Sequence, residues 1–177
     1  SGLAFALTRL VVLPQFDRLD HEYLHHRIER VLAALAAEQN RISASTADWA
    51  YWSDTYNFVQ GSYPEYVSEN LAPESFQGLQ LNLMLFYDAQ DRLMFARAFN
   101  LEGGQEVSLS PEVITQIGST RYRLSPSDPL SEAHGVVLTE AGAILVSARR
   151  ILRSDRSGPP AGTYIAGRWL DTTEWQR

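Results

Sequence analysis

Arg97 and Asp54 stand among aromatic residues, where their charges could bind a ligand. Asp54 lies in the segment DWAYWSDTYNF, residues 48–58, which carries five aromatic rings. Arg97 shares one face of a predicted strand with Phe95 and Phe99. Because a guanidinium can hold a carboxylate through two parallel hydrogen bonds, Arg97 is the first candidate for binding a small molecule.

The other candidate ligand-binding residues would complete the same pocket. Arg149 lies on a second predicted strand and is a weaker candidate for the role of Arg97. Ring walls and polar contacts, the usual lining of a small-molecule pocket, would come from Trp52, Asp54, Tyr56 and Tyr87. An alternative remains open, in which Asp54 pairs with an arginine such as Arg97, Arg149 or Arg168 as a structural ion pair.

Metal binding and catalysis have little support in the sequence. His21 and His25 are four residues apart on a predicted helix, a spacing that can chelate a metal, but exposed histidines on a solvated helix face are much commoner. Gly-x-Ser-x-Gly and phosphate-loop signatures are absent, and the chain has no cysteine. We therefore expect no cofactor, no metal and no catalytic residue.

The charge balance makes nucleic acid an unsuitable partner. The 177 residues carry 15 basic residues, all arginine, against 21 acidic residues, for a net charge of -6. Such a chain offers no basic face to replace the counterions of a phosphate backbone. Its 45% apolar content indicates a folded domain.

The candidate residues require three elements to position them. Residues 1–44 are predicted as one long helix whose apolar stripe is interrupted by charged residues. This pattern favours packing on the domain along one part and on a second copy of the chain along another, although a solvated monomeric helix is the alternative. Residues 45–78 are predicted as an aromatic helical segment, with one helix starting near Asp48, a second at 64–71 and a loop at 72–78.

Residues 79–171 are predicted as an antiparallel sheet. Period-two alternation predicts strands at 79–88, 92–100, 134–139, 142–152 and 162–170, with a helical insertion at 101–130. In the insertion, Pro111 opens a short helix and Gly118 ends it. The predicted fold is α+β: a single domain with a PAS/Cache-like five-stranded antiparallel sheet and a long N-terminal helix packed on one face.

With these elements in place, the chain resembles the fourth type of CHASE domain. The resemblance is carried by the long helix, DWAYWSDTYNF, the ENL of residues 69–71 and the segment SARRILRSDRSGPPAGTYIAGRWLD of residues 147–171. In one departure, Ser53 precedes Asp54 where the family tends to have two adjacent acids.

The resemblance implies an extracytoplasmic sensor domain in the periplasm, held between two membrane helices of an inner-membrane protein. It would bind a small molecule and signal to a diguanylate cyclase, a cyclic-di-GMP phosphodiesterase or a histidine kinase. We also expect a homodimer through the N-terminal helix. The alternative is a ligandless dimerisation or protein-interaction module of the same receptor.

Overall fold

The computed structural model describes the backbone of residues 13–170 and the side chains of residues 25–170. The chain divides after Glu38 into two compact units. Its helices are α1 (Leu13–Ala50), α2 (Ser53–Val59), α3 (Tyr66–Asn70), α4 (Pro73–Leu79), α5 (Pro111–Gly118) and a 3-10 helix (Ser119–Arg123). Its strands are β1 (Leu83–Asp88), β2 (Leu93–Phe99), β3 (Glu106–Val107), β4 (Glu132–Thr139), β5 (Gly142–Ile151) and β6 (Gly162–Trp169).

The six strands form one antiparallel sheet in the order β3-β2-β1-β6-β5-β4. The structure confirms the predicted α+β fold, with a long N-terminal helix and an antiparallel sheet. The strand count differs by one, because the end of β2 pairs with the two-residue strand β3. A strand this short contains no period-two pattern that the sequence could show.

Alternation along β1 gives the sheet two buried faces. Met84 and Phe86 belong to one cluster with Tyr164, and we call their side the aromatic face. Leu83 and Leu85 belong to a second cluster on the opposite, aliphatic face. All six residues of β1 are buried, so the strand is covered on both sides.

The last part of α1 packs on the aromatic face. Ile42 and Ala50 are fully buried in the cluster of that face. The Gln39 side chain donates a hydrogen bond to the backbone oxygen of Val146 in β5 (3.2 Å). The second unit therefore has the helix-on-sheet packing that the sequence predicts.

The stretch DWAYWSDTYNF, residues 48–58, does not form the single helix that the sequence predicts. Helix α1 continues past residue 44 to Ala50. The helical conformation is then interrupted at Trp52, whose backbone is extended (φ -114, ψ 129). The end of β5 explains the break: the Leu152 N–H binds the oxygen of Ala50 (2.9 Å), and the Ser53 N–H binds the Ser154 hydroxyl (3.0 Å). Both contacts come from residues about 100 positions away, so a helical period could not reveal them.

Two predicted boundaries between residues 64 and 88 are also wrong. The predicted loop at 72–78 is largely helix α4, which begins at Pro73 and buries Phe76. Proline suits the first turn of a helix, where its missing N–H has no partner to lose. Gln80 ends α4 in the left-handed conformation (φ 54), so β1 begins at Leu83 rather than at 79.

The insertion between β2 and β4 covers the aliphatic face. The hydroxyl of Ser110 caps α5 by accepting the N–H of Val113 (3.3 Å). Val113, Ile117 and Leu124 are buried against the sheet. The insertion thus lies on the opposite face of the sheet from the last part of α1, residues 39–50, and aliphatic side chains fill its contact with the sheet.

Candidate functional site

Five rings cover the aromatic face of the sheet beside the end of α1. We call them the aromatic roof; they are Trp49, Trp52, Phe58, Tyr63 and Tyr66. Trp49 lies in the last turn of α1, Trp52 at the break, Phe58 in α2 and Tyr66 in α3. Tyr66 is fully buried, and the other four rings are partly buried. These four rings therefore keep part of their surface open to solvent.

Tyr66 is the centre of the roof. Its ring lies 4.6 to 6.4 Å, between centroids, from each of the other four. It stacks on Phe58 at 4.6 Å and meets Phe86 of β1 edge to face at 6.2 Å. Aromatic pairs at these distances contribute about 0.5 to 1.5 kcal/mol each beyond area burial, so the rings hold one another in place.

Polar groups are interleaved with these rings. The Tyr66 hydroxyl shares a hydrogen bond with Thr55 (2.7 Å), and the Tyr63 hydroxyl donates one to Glu69 (2.5 Å). The hydrogen bond to Glu69 raises the pKa of Tyr63 to about 12, and burial raises that of Tyr66. The negative charge of Asp54 raises both pKa values further. The roof is therefore aromatic, and the carboxylates of Asp54 and Glu69 give it negative charge.

Tyr164 of β6 lies beneath the roof with its hydroxyl buried. Its ring stacks on Phe86 at 4.5 Å and lies 6.5 Å from Trp49. The residue is 0% exposed, and within the described part of the chain its hydroxyl has no hydrogen-bond partner. Burial raises the pKa of Tyr164 well above its usual value, and Tyr66 adds to the effect. Because buried polar groups nearly always have a partner, this hydroxyl marks a position that a ligand could satisfy.

Three predicted site residues lie in or beside the roof. Trp52 is part of it, and Asp54 is partly buried in the first turn of α2. Tyr56 is 3% exposed and points into the core, with the Arg153 guanidinium 4.8 Å from its ring centre. The structure thus leaves Trp52 and Asp54 partly exposed to solvent, whereas Tyr56 belongs to the core.

Arg97 lies on the predicted face of β2 but near the edge of the sheet. Its guanidinium forms an ion pair with Glu106 of β3 (3.2 Å) and lies 5.8 Å from the ring centre of Phe95. The side chain is 45% exposed. Its charge is matched by Glu106, a residue of the strand that the sequence does not predict.

Arg149 is held in a network between α1, β4 and β5. Its guanidinium forms an ion pair with Glu132 and donates hydrogen bonds to Ser43 (3.0 Å) and Tyr51 (3.3 Å). The hydrogen bond from Ser43 lowers the pKa of Glu132, and the positive charge of Arg149 lowers it further. An arginine does form a structural bridge, but among the described residues Asp54 is paired with neither Arg97 nor Arg149.

Tyr87 lies on the aliphatic face, opposite the roof. The Arg121 guanidinium stacks over its ring at 4.2 Å and donates hydrogen bonds to Asp91 (3.1 Å) and to the oxygen of Gly118 (2.6 Å). The six predicted residues therefore do not line one pocket, because Tyr87 faces the other side of the sheet. Alternation along β1 already separates Tyr87 from the aromatic face, which includes Phe86.

Sequence reasoning did not single out Tyr63, Glu69 or Tyr164 as site residues. A signal exists for Tyr164, whose phenol stands in the apolar strand segment GTYIAG. A tyrosine in the middle of such a strand must bury its hydroxyl.

A groove of about 560 Å³ lies at the end of the sheet where β1 begins and β2 and β6 end. The Asn82 amide there donates to the oxygen of Phe99 (3.0 Å) and accepts the N–H of Trp169 (3.0 Å). These bonds give Asn82 a structural role. The groove is lined by Gln80, Asn82, Asn100, Leu101, Glu102, Val107, Ala141, Arg168 and Trp169.

The candidate metal pair at the start of the chain is not tested. His25 is exposed on α1, and the side chain of His21 lies outside the described residues.

The comparisons with known proteins agree with this architecture. The model of the CHASE4 domain family matches residues 34–177. The chain belongs to the CHASE4 family. A methanogenesis regulatory histidine kinase, FilI of Methanothrix harundinacea (strain 6Ac), is 33% identical over 153 residues, which are 86% of this chain and 17% of that protein. The chain therefore spans about a sixth of this relative.

Two solved structures share the fold of this CHASE4 domain. The extracellular domain of the histidine kinase candidate vpHK1S-Z8 superposes with a TM-score of 0.61 at 12% identity, over 86% of this chain and 57% of that one. A domain of a sensory box/GGDEF family protein candidate from Vibrio parahaemolyticus gives 0.59 at 9% identity, over 83% and 59%.

Family membership gives the coarse function. This CHASE4 domain is a sensor domain of the extracytoplasmic kind and not a catalytic domain. Among the described residues, no helix is long and apolar enough to cross a bilayer.

Proposed function

We propose that this CHASE4 domain binds a small molecule at the aromatic roof and passes the signal along α1. The observation that carries the proposal is the position of the roof at the end of that helix. Trp49 is in its last turn and Trp52 at the break that follows. A ligand that binds one arrangement of these two rings better than another would shift the conformation of the helix end.

The rest of the receptor is part of this proposal. The domain would lie on the periplasmic side of an inner membrane, between two membrane helices. The relative at 33% identity is a histidine kinase, which favours a kinase output over a diguanylate cyclase or a cyclic-di-GMP phosphodiesterase.

A thermal-shift screen of the 177-residue chain tests ligand binding. Amino acids, organic acids, amines and polyamines are compared, and a specific ligand raises the melting temperature by mass action. Trp52→Phe should reduce the rise if the ligand binds the roof, whereas Arg97→Ala should reduce it if the ligand binds at the edge of the sheet. A hit that neither change affects would place the ligand elsewhere and contradict the proposal.

The ligandless alternative also has a specific observation in its favour. The rings of the aromatic face pack closely, with Phe86 on Tyr164 at 4.5 Å and Phe58 on Tyr66 at 4.6 Å. If no compound of any class raises the melting temperature, the packed rings act as a core, and the domain works through dimerisation alone.

Dimerisation through α1 is the second part of the proposal. Ile28, Val31 and Leu32 are 55%, 39% and 59% exposed. With Leu35 they form a stripe at helical spacing, and Ile28, Val31 and Leu35 have the alternating steps of three and four found in a coiled-coil seam. A second copy of the helix would bury this stripe.

The dimer is tested by light scattering after chromatography. Ile28→Ser combined with Leu32→Ser should convert a dimer to a monomer. Ala33→Ser, an exposed position away from the stripe, should leave the mass unchanged. A monomeric wild-type chain at high concentration would contradict dimerisation through this helix alone.

A further inference from the structure

Three carboxylates on the segments that carry the aromatic roof have no basic partner: Asp54 in α2, Glu65 just before α3 and Glu69, which accepts the hydrogen bond of Tyr63 (2.5 Å). Asp54, Glu65 and Glu69 each act electrostatically on Tyr63, whose pKa they help to raise. Glu65 and Glu69 are exposed, and Asp54 is partly buried. Among the described residues, no arginine or histidine lies within ion-pair distance of any of the three. These three carboxylates therefore have no ion-pair partner among the described residues.

The ring faces of the roof are also without a cation. Nearby rings have one: Arg153 lies over Tyr56 at 4.8 Å, and Arg156 over Tyr51 at 4.9 Å. In the described part of the chain, no guanidinium is found over Trp49, Trp52, Tyr63 or Tyr66. The faces of tryptophan attract cations more strongly than those of the other aromatic side chains, and the Trp49 and Trp52 rings meet edge to face at 5.8 Å.

The buried hydroxyl of Tyr164 is an independent indication of a ligand. The residue is fully buried, its hydroxyl has no partner in the described chain, and its ring centre lies 6.5 Å from that of Trp49. A phenol oxygen can accept a hydrogen bond from an N–H group. This hydroxyl belongs to the sheet, whereas the carboxylates lie in α2, in α3 and just before α3.

Accepting that the roof is the ligand site proposed above, we infer that its ligand is an organic ammonium cation with at least one N–H. The ring faces and the three carboxylates would bind its positive charge, and the Tyr164 hydroxyl would accept a hydrogen bond from its N–H group. A carboxylate ligand would meet three charges of its own sign. A neutral ligand would leave that charge uncompensated.

The test follows the indole N–H signals of Trp49 and Trp52 by NMR in the 177-residue chain. The probes are butylamine, putrescine, cadaverine and phenethylamine, with butanol, butyrate and trimethylbutylammonium as comparisons. The protonated amines should shift both signals to saturation, and butanol and butyrate should leave them in place. Trimethylbutylammonium should bind more weakly than butylamine, because it has no N–H.

Two pairs of variants separate the contributions. Asp54→Asn should weaken amine binding about tenfold, the equivalent of losing one charge contact. Asp48→Asn removes the same charge from an exposed neighbour and should change the affinity for amines by less than about twofold. Tyr164→Phe should weaken the binding of butylamine and leave the binding of trimethylbutylammonium unchanged. Equal effects of Asp54→Asn and Asp48→Asn would overturn the assignment of the cation site.

The outcomes distinguish this inference from the proposed function. If butyrate or butanol shifts the two indoles and the amines do not, the roof is a ligand site but not for cations. If no probe and no compound of the thermal-shift screen binds, both proposals fail together.

Discussion

Removing the buried hydroxyl of Tyr164 should stabilise the unliganded chain, whereas the same change at Tyr66 should destabilise it. Both residues are 0% exposed, and both lose one oxygen atom on replacement by phenylalanine. They differ in hydrogen bonding, because Tyr66 is bonded to Thr55 (2.7 Å) and Tyr164 has no partner among the described residues.

The expected magnitudes follow from the cost of a buried polar group. A hydroxyl buried without a partner costs about 1 to 3 kcal/mol, so Tyr164→Phe should raise the free energy of unfolding by an amount in that range. Tyr66→Phe removes the hydrogen bond to Thr55. The Thr55 hydroxyl, which belongs to a residue that is also 0% exposed, has then lost its partner, and the free energy of unfolding should fall by about 1 to 3 kcal/mol. For a chain of this length, each kcal/mol corresponds to about 2 to 4 °C in Tm.

Urea unfolding monitored by tryptophan fluorescence measures both changes at once. The two variants share ring size, burial and the cluster they belong to, so the sign of the difference reports hydrogen bonding alone. If Tyr164→Phe loses stability as Tyr66→Phe does, the Tyr164 hydroxyl already has a partner in the unliganded chain. The inference of a cation site would then lose its independent support.

Three further predictions concern the scaffold. Gly162→Ala should lower the free energy of unfolding by about 1 to 3 kcal/mol, because the new Cβ would lie 2.0 Å from a backbone oxygen of β1. Gly78→Ala in α4 meets nothing within 4 Å and should raise it by about 0.5 to 1 kcal/mol. Chemical denaturation measures both changes. Burial alone would raise the pKa of Asp88, but hydrogen bonds from Arg92 and Gln90 lower it. The stability that ionised Asp88 contributes is therefore complete above the usual aspartate pKa and is lost as the pH falls below that value and through the lowered pKa. Asp88→Asn should therefore flatten the decline of Tm with acid. Glu132→Gln should cost about 1 kcal/mol at neutral pH, because it weakens the ion pair to a partly buried arginine of β5; an unchanged Tm would contradict this.

The sequence predicted those elements whose signal is local. The β1–β2 hairpin and strands β4 to β6 follow from period-two alternation, and α5 follows from Pro111 and Gly118. The break at Trp52 could not be predicted, because it depends on the Leu152 N–H and the Ser154 hydroxyl. Contacts between residues so distant in sequence leave no pattern within either segment.

One ion pair was within reach of the sequence. The predicted turn between β4 and β5 pairs Thr139 with Gly142, and counting back along both strands places Glu132 opposite Arg149, as the register shows. Opposite charges directly across a strand pair are favourable neighbours. Extending the hairpin by two residues would have given Arg149 its partner and weakened it as a ligand-binding candidate.

The two arginines chosen from the sequence are poor candidates for free ligand-binding groups. Arg97 forms an ion pair with Glu106, and Arg149 forms one with Glu132. Asp54, by contrast, has no ion-pair partner among the described residues. The carboxylate at the roof is therefore the candidate that remains available to a ligand of opposite charge, and the amine and butyrate probes test that sign directly.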